Sequence, residues 1–258
     1  MDAEHIQRLE PMLVEYLALF GGCFARKDTR EHFPVYVRGQ LSSIERKSVE
    51  PMALEAGVPV RTLQEFLTHL KWNEDGMRRQ LQELVATEHA DPESIGLIDE
   101  TGWVKKGDKT PGVQRQYCGS VGKQENSIVT VHLGYAAGDF HCLLDGDLFL
   151  PEGWDRDRCR EAGIPNEVVH RPKTEIALEM YDRARGHGVH FEWLTFDEWY
   201  GSKPPFLRAL DERQQKFVGE AHKDFRAWIE RPQVTHRPYR RHGKGRAGGG
   251  MRCTWQRQ

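Results

Sequence analysis

Asp99 and Asp197 are the two residues whose type and setting point most directly to chemistry. Each follows a short apolar run, Ile95-Gly-Leu-Ile98 and Val189 to Phe196. Each precedes a Glu and then a glycine-bearing stretch, Asp99-Glu-Thr-Gly-Trp103 and Asp197-Glu-Trp-Tyr-Gly201. Short apolar runs of this kind read as buried strands, so each Asp is expected to close a strand at its C-terminal end. Ligands of open α/β sheets collect at those ends. If the two strands are neighbours, the carboxylates meet there, repel one another and favour a cation between them. Mg²⁺ suits the place, being hard and content with a few carboxylates, waters and phosphate oxygens. A strand-end Asp is also an ordinary turn starter. Glu100 and Glu198 are expected to face the opposite side if the strands continue.

A second constellation is Met52-Ala-Leu-Glu-Ala-Gly-Val-Pro-Val-Arg-Thr-Leu-Gln-Glu-Phe-Leu67. A helix carrying Ala53 and Ala56, a turn at Gly57 and a second helix from near Val60 outline a helix-turn-helix. Arg61, Thr62 and Gln64 then lie early in the second helix, where a recognition helix touches bases. A helical hairpin that packs only its own core gives the same outline.

Other chemistries find little support. No P-loop, nucleophile elbow or His-Glu-x-x-His motif occurs, and Gly119-Ser-Val-Gly-Lys123 has the wrong glycine spacing for a phosphate loop. Asp145-Gly-Asp147 lacks the ligand series of a calcium loop, and His187 and His190 have no Cys at metal spacing.

The elements that must position these residues fall into three zones. The 258 residues are 38% hydrophobic and include 7 Trp and 11 Phe, enough for a sizeable core, and the length suits one large or two modest domains. Residues 1–92 read as an all-helical N-terminal domain. Leu13, Tyr16, Leu17 and Phe20 follow Pro11, expected in a first helical turn. Leu63, Phe66, Leu67 and Leu70 form a second run, and Met77, Leu81, Leu84 and Val85 a third. Residues 93–220 read as a mixed α/β core. Strands at Val113–Cys118, Ser127–Tyr135 and Asp139–Leu144 form hairpins beside the first. A helix over Glu175–Arg185 follows, capped by Thr174 and stopped by Gly186. The strand ending at Asp197, a helix near Phe206–Gln215 and a strand at Phe217–Gly219 complete the core.

Residues 221–258 read as a basic, disordered tail. From Arg231 on there are eight Lys and Arg, among them Arg240, Arg241 and Lys244, and no Asp or Glu. Taking these from the net charge of −2 leaves −10 on residues 1–230. An acidic body with a basic end can mark nucleic-acid contact, although the body itself is a poor phosphate-binding surface. No apolar run approaches the ~18 residues that span a bilayer, so no membrane partner is expected. The start, Met1 to Glu10, has no secretory signal order. Five scattered cysteines, Cys23, Cys118, Cys142, Cys159 and Cys253, point to free thiols in a reducing compartment and hence to the cytoplasm.

Taken together, the motifs resemble the DDE-type transposases of bacterial insertion sequences. The resemblance rests on Ile98-Asp-Glu-Thr-Gly-Trp-Val-Lys-Lys-Gly107 and Val113-Gln-Arg-Gln-Tyr-Cys-Gly-Ser-Val-Gly-Lys123. It continues through Leu148-Phe-Leu-Pro151 with Trp154, Ala162-Gly-Ile-Pro165, and Phe196-Asp-Glu-Trp-Tyr-Gly201, from about residue 20 to about residue 241. It implies an RNase H-like core, with Asp99 and Asp197 as the first two catalytic carboxylates. Asp99 would bridge two Mg²⁺ ions (Mn²⁺ an alternative) and Asp197 would bind one. It implies double-stranded DNA, element ends and target, as partner, homo-oligomers on DNA and association with the nucleoid. The family's third carboxylate, a helix-borne Glu, is expected beyond the last residue here. The core therefore reads as cut short and inactive alone, with no family likeness from Ala247 on. A DNA-binding remnant that inhibits the full-length enzyme is the alternative.

Overall fold

The computed structural model describes residues 3–226, with side chains from residue 9 onward. The tail residues Arg240, Arg241 and Lys244 lie outside the described residues. The chain opens with five helices, α1 (Ala3–Ala18), α2 (Lys27–Leu41), α3 (Val49–Glu55), α4 (Val60–Thr68) and α5 (Glu74–Glu88). Two departures from the sequence expectation are instructive. α1 begins before Pro11 and runs through it, at the cost of one i→i−4 hydrogen bond. α2 also runs through an internal proline, Pro34. α5 starts as its sequence dictates: Asn73 Oδ1 accepts the Gly76 N–H at 2.8 Å, and Glu74 and Asp75 fill the first turn. Phe20, Phe24 and Phe66 pack together beneath Trp72, and Met52, Ala53 and Leu63 form a separate small core under α3 and α4.

The sheet follows: β1 (Ile95–Val104), β2 (Gln114–Cys118), β3 (Lys123–Ala137), β4 (Phe140–Leu148), then α6 (Arg156–Glu161), α7 (Lys173–Gly186), β5 (Trp193–Phe196), α8 (Glu198–Gly201), α9 (Pro204–Glu212) and β6 (Phe217–Gly219). The order is β2-β3-β1-β5-β6, with β4 also paired to β3. β1, β2 and β4 are antiparallel to β3; β5 runs parallel to β1 and β6 parallel to β5. This is a mixed α/β sheet preceded by helices, the architecture of an RNase H-like core.

One face of the sheet carries the core. Ile98, Val131, Leu133, Leu194 and Phe196 pack against Ile176, Ala177, Met180, Tyr181 and Ala184 of α7 and against Phe206 and Leu210 of α9. The α7 stripe is the one its 3.6-residue period implies. Its cap is not: Pro172 precedes the helix, and Thr174 lies inside the first turn rather than capping it. β5 is also shorter than the apolar run Val189–Phe196, because Val189 and Phe191 are buried in the core before strand pairing begins.

Candidate functional site

β1 supplies Asp99, and the structure corrects its expected place. The strand does not close there but continues to Val104, paired with β3 throughout, with Asp99 opposite His132 and Val104 opposite Ser127. What stops at Ile98 is the parallel pairing with β5, whose last rung is Ile98↔Phe196. The apolar run ends because only that part of β1 has a strand on both sides. The residues Thr101-Gly-Trp103 are strand, not turn. Gly102 is pressed so closely on Cys118 that a Cβ would lie 2.8 Å from its Sγ.

Asp197 stands where the sequence puts it, immediately after β5. The register therefore sets Asp99 and Asp197 on the rung just beyond the last β1–β5 pair, on strands about 4.8 Å apart. Both share the alternation of Ile95, Leu97, Trp193 and Thr195, the half-exposed face of the sheet. Both carboxylates are exposed and make only local bonds. Asp99 Oδ1 accepts the Glu100 N–H at 2.7 Å. Asp197 Oδ1 accepts the N–H of Trp199 at 3.0 Å and of Tyr200 at 3.3 Å, capping α8. The turn-starting role of Asp197 is thus real, and it holds the carboxylate at the strand end.

β6 adds a third acid to the same rung. Its last pair is Phe196↔Gly219, and the Glu220 N–H donates to the Phe196 carbonyl at 3.3 Å, so Glu220 closes the strand beside Asp197. The approach is tight: a Cβ on Gly201 would lie 1.8 Å from the Glu220 carbonyl oxygen, so only glycine fits there. Even so, among the described residues no three His, Cys, Asp or Glu side chains converge closely enough to hold a metal ion.

Behind the pair lie Glu100 and two residues that the sequence did not single out, Lys173 and Tyr200. Glu100 faces the core side of β1, as alternation requires, and its Oε2 lies 2.6 Å from Lys173 Nζ at the start of α7. That ion pair compensates the half-buried carboxylate. Tyr200, fully buried, has an unpartnered hydroxyl. Burial pushes this phenol far above its ordinary range, and Glu100, Asp197 and Asp99, in that order, push it further. It stays a neutral O–H. Leaving one such buried polar atom unpaired costs about 1–3 kcal/mol. Lys173 also lies over the rings of Phe149 (5.3 Å) and Trp199 (5.0 Å), and Lys203 lies over the Trp199 ring at 4.6 Å. Only the Trp199-Tyr200 pair after Asp197 could have signalled this cluster in sequence.

On β3, His132 lies across from Asp99 and within 2.8 Å of the Thr130 hydroxyl. Burial lowers its basicity, and the Asp99 charge partly restores it.

The helical constellation is assembled separately. α3 and α4 flank a turn in which Gly57 adopts φ +67°, and Leu63 and Phe66 of α4 are buried. Arg61 and Gln64 are exposed and Thr62 half-buried; Arg61 Nε pairs with Glu65 at 2.7 Å. The hairpin packs its own core and still presents a polar face, so the two readings of this segment coexist. Of the thiols, Cys23, Cys118, Cys142 and Cys159 are free; Cys253 lies outside the described residues. No helix among the described residues is long and apolar enough to cross a membrane.

Comparison with known proteins gives two findings. Residues 19–256 match the family described as DDE superfamily endonuclease. The likeness therefore continues past Ala247, where none was expected; a glycine-rich, motif-poor stretch hides it from single-sequence reading. The chain is also 31% identical over 208 residues to a probable transposase for insertion sequence element IS701 of Microchaete diplosiphon, covering 79% of this chain and 52% of that protein. It spans about half the length of the curated relative it matches.

Proposed function

For a chain that belongs to the DDE superfamily endonucleases, we propose the part of an insertion-sequence transposase that holds the first two metal-binding carboxylates, acting on double-stranded DNA at element ends. The observation that carries this reading is the shared rung of Asp99 and Asp197 at the end of the β1–β5 parallel pairing. The likeness to a probable insertion-sequence transposase supports it.

The donors fit a hard divalent cation, Mg²⁺ or Mn²⁺: two exposed carboxylates on adjacent strands that bond only to local backbone. When bound, such an ion supplies positive charge for the cleaved phosphodiester and for the attacking water or 3′-hydroxyl. The protein's own part is to fix the ligands. The α8 cap orients Asp197, and continuous pairing with β3 holds Asp99. Trp199, with Lys173 and Lys203 against its ring, offers an aromatic and basic surface next to Asp197, suited to a nucleic-acid strand. Arg61, Thr62 and Gln64 are proposed to contact DNA from α4, and Arg240, Arg241 and Lys244 its phosphates. DNA-dependent homo-oligomers are part of the same proposal.

With Asp99 and Asp197 as the two carboxylates assigned to the cation, the 258-residue chain alone is expected to bind end DNA without cutting it at a useful rate. A second reading is a DNA-binding inhibitor of a full-length transposase. The test supplies the chain with DNA carrying the element's ends, with and without Mg²⁺ or Mn²⁺. End-specific, salt-dependent binding without nicking is expected. Nicking that disappears in Asp197→Asn would show a complete site and overturn the inactive reading, and absence of end-specific binding would overturn the transposase assignment.

A further inference from the structure

The parallel pairing of β1 and β5 ends at Ile98↔Phe196, one residue short of the two aspartates. Beyond it the chains part: β1 follows β3 on to Val104, and the chain after β5 turns into α8. The β1–β5 ladder therefore does not reach the gap between Asp99 and Asp197. A side chain spans it instead. Lys173 opens α7, where the helix dipole disfavours a positive charge. Three other elements meet its ammonium there. Nζ lies 2.6 Å from Glu100 of β1, 5.0 Å from the Trp199 ring of α8 and 5.3 Å from the ring of Phe149, just after β4. The Lys173 side chain is 15% exposed, so solvent screens these contacts little. Glu100 adjoins Asp99, and the Trp199 N–H donates to Asp197 Oδ1 at 3.0 Å. Lys173 thus closes a chain of contacts from one carboxylate to the other. Its own backbone is anchored: Arg171 meets Asp147 at 2.7 Å, and Ile176 and Ala177 are buried in the core.

We propose that Lys173 is a positioning residue for the cation site: its ammonium straps β1 to α8 and so sets the separation at which Asp99 and Asp197 present their carboxylates. The inference rests on the cation reading above. A small hard cation is strict about ligand distance and angle, so drift of one strand end against the other is felt directly in affinity. Lys173 acts through geometry rather than charge, because Glu100 offsets its charge on the side of β1 away from Asp99. Loss of a residue that orients metal ligands commonly weakens binding about 10–100-fold. Lys216 has the same chemistry without the site. It pairs with Glu192 and lies over the Trp193 ring at 5.6 Å, at the opposite end of β5.

The experiment titrates the full chain with Tb³⁺, an oxygen-seeking ion whose emission is sensitised by nearby Trp and Tyr rings. The midpoint, not the amplitude, reports affinity. Saturable emission that Asp197→Asn removes is expected for the wild-type chain. The double variant Lys173→Met/Glu100→Gln deletes both charges together and leaves no unpaired acid. It is expected to move the midpoint about ten-fold or more to weaker binding, at a temperature where circular dichroism shows it folded. Lys173→Gln is an independent variant with the opposite electrostatic bias. It leaves a negative charge uncompensated, which by itself would tighten cation binding, so the weaker midpoint expected there reports geometry. An unchanged midpoint in the folded double variant, or a tighter one in Lys173→Gln, would overturn the proposal. So would a shift of the same size in Lys216→Met, which loses the same kind of contacts away from the site and is expected to bind like the wild-type chain. If the wild-type chain shows no Asp197-dependent emission, the cation reading itself fails and this inference with it, a result distinguishable from the others.

Discussion

Two acidic sites in this molecule solve the problem of burying charge in opposite ways. Asp145, on β4, has a side chain only 1% exposed, yet every oxygen is used. Oδ1 meets Arg78 of α5 at 2.7 Å and the Gly146 N–H at 2.9 Å, and Oδ2 meets Arg183 of α7 at 2.8 Å. Beside it Gln82 donates to the Leu144 carbonyl at 3.1 Å and accepts from His187 Nδ1 at 2.6 Å. That network ties the last N-terminal helix to the sheet and to α7. Across β3 and one rung along, Asp99 bonds only to nearby backbone, as does Asp197 at the end of β5, and the buried Tyr200 hydroxyl behind them has no partner. Full satisfaction marks an acid that holds the fold together. Incomplete satisfaction at clustered carboxylates marks one that awaits a ligand.

Substitutions should separate the two, and the largest effect is expected at the paired acid. Asp145→Asn strands two arginines that are each less than one-third exposed. It should cost about 3 kcal/mol, or roughly 6–12 °C in a thermal melt for a chain of this size. A loss below ~1 kcal/mol would mean that solvent screens the clamp, and the contrast would fail. Next comes Gly201→Ala, whose Cβ meets the Glu220 carbonyl oxygen. Forcing α8 and the end of β6 apart should cost about 2 kcal/mol and weaken cation binding as well, since α8 carries the Asp197 cap.

Asp197 itself can be split into its two roles. Asp197→Ala removes the cap of α8 and should cost about 1 kcal/mol, whereas Asp197→Asn keeps a capping oxygen and should melt like the wild-type chain. Both should abolish cation binding, read as the loss of saturable Tb³⁺ emission sensitised by nearby Trp and Tyr rings. The smallest effect on stability belongs to Asp99→Asn, within ~0.5 kcal/mol, because its carboxylate has only the adjacent Glu100 N–H to lose. A destabilisation on the scale of Asp145→Asn would show that Asp99 is structural after all.

The legible parts of the fold were those governed by local periodicity. The α7 stripe of Ile176, Ala177, Met180, Tyr181 and Ala184 is buried as its spacing implies, and β6 spans the expected Phe217–Gly219. Boundaries set by partners were less legible. β1 outruns its apolar core to Val104, because β3 continues to pair with it after β5 has ended. Pro11 looked like a helix start and lies inside α1, since a proline forbids one hydrogen bond rather than a whole helix. Thr174 has the right side chain for a cap but sits past the point where α7 begins.

By itself the sequence determined which residues could do chemistry, two Asp-Glu motifs after apolar runs, and the α/β class of the core that carries them. Tertiary structure decided that β1 and β5 are parallel neighbours, and hence that Asp99 and Asp197, almost a hundred positions apart in the chain, share a rung. It also decided that Lys173 pairs with Glu100 and lies over Trp199 behind that rung, while Asp145 closes a clamp across β3. The physical reason is that periodicity is a property of neighbours in the chain. Whether a polar atom finds its partner depends on strands and helices brought together across long sequence separations.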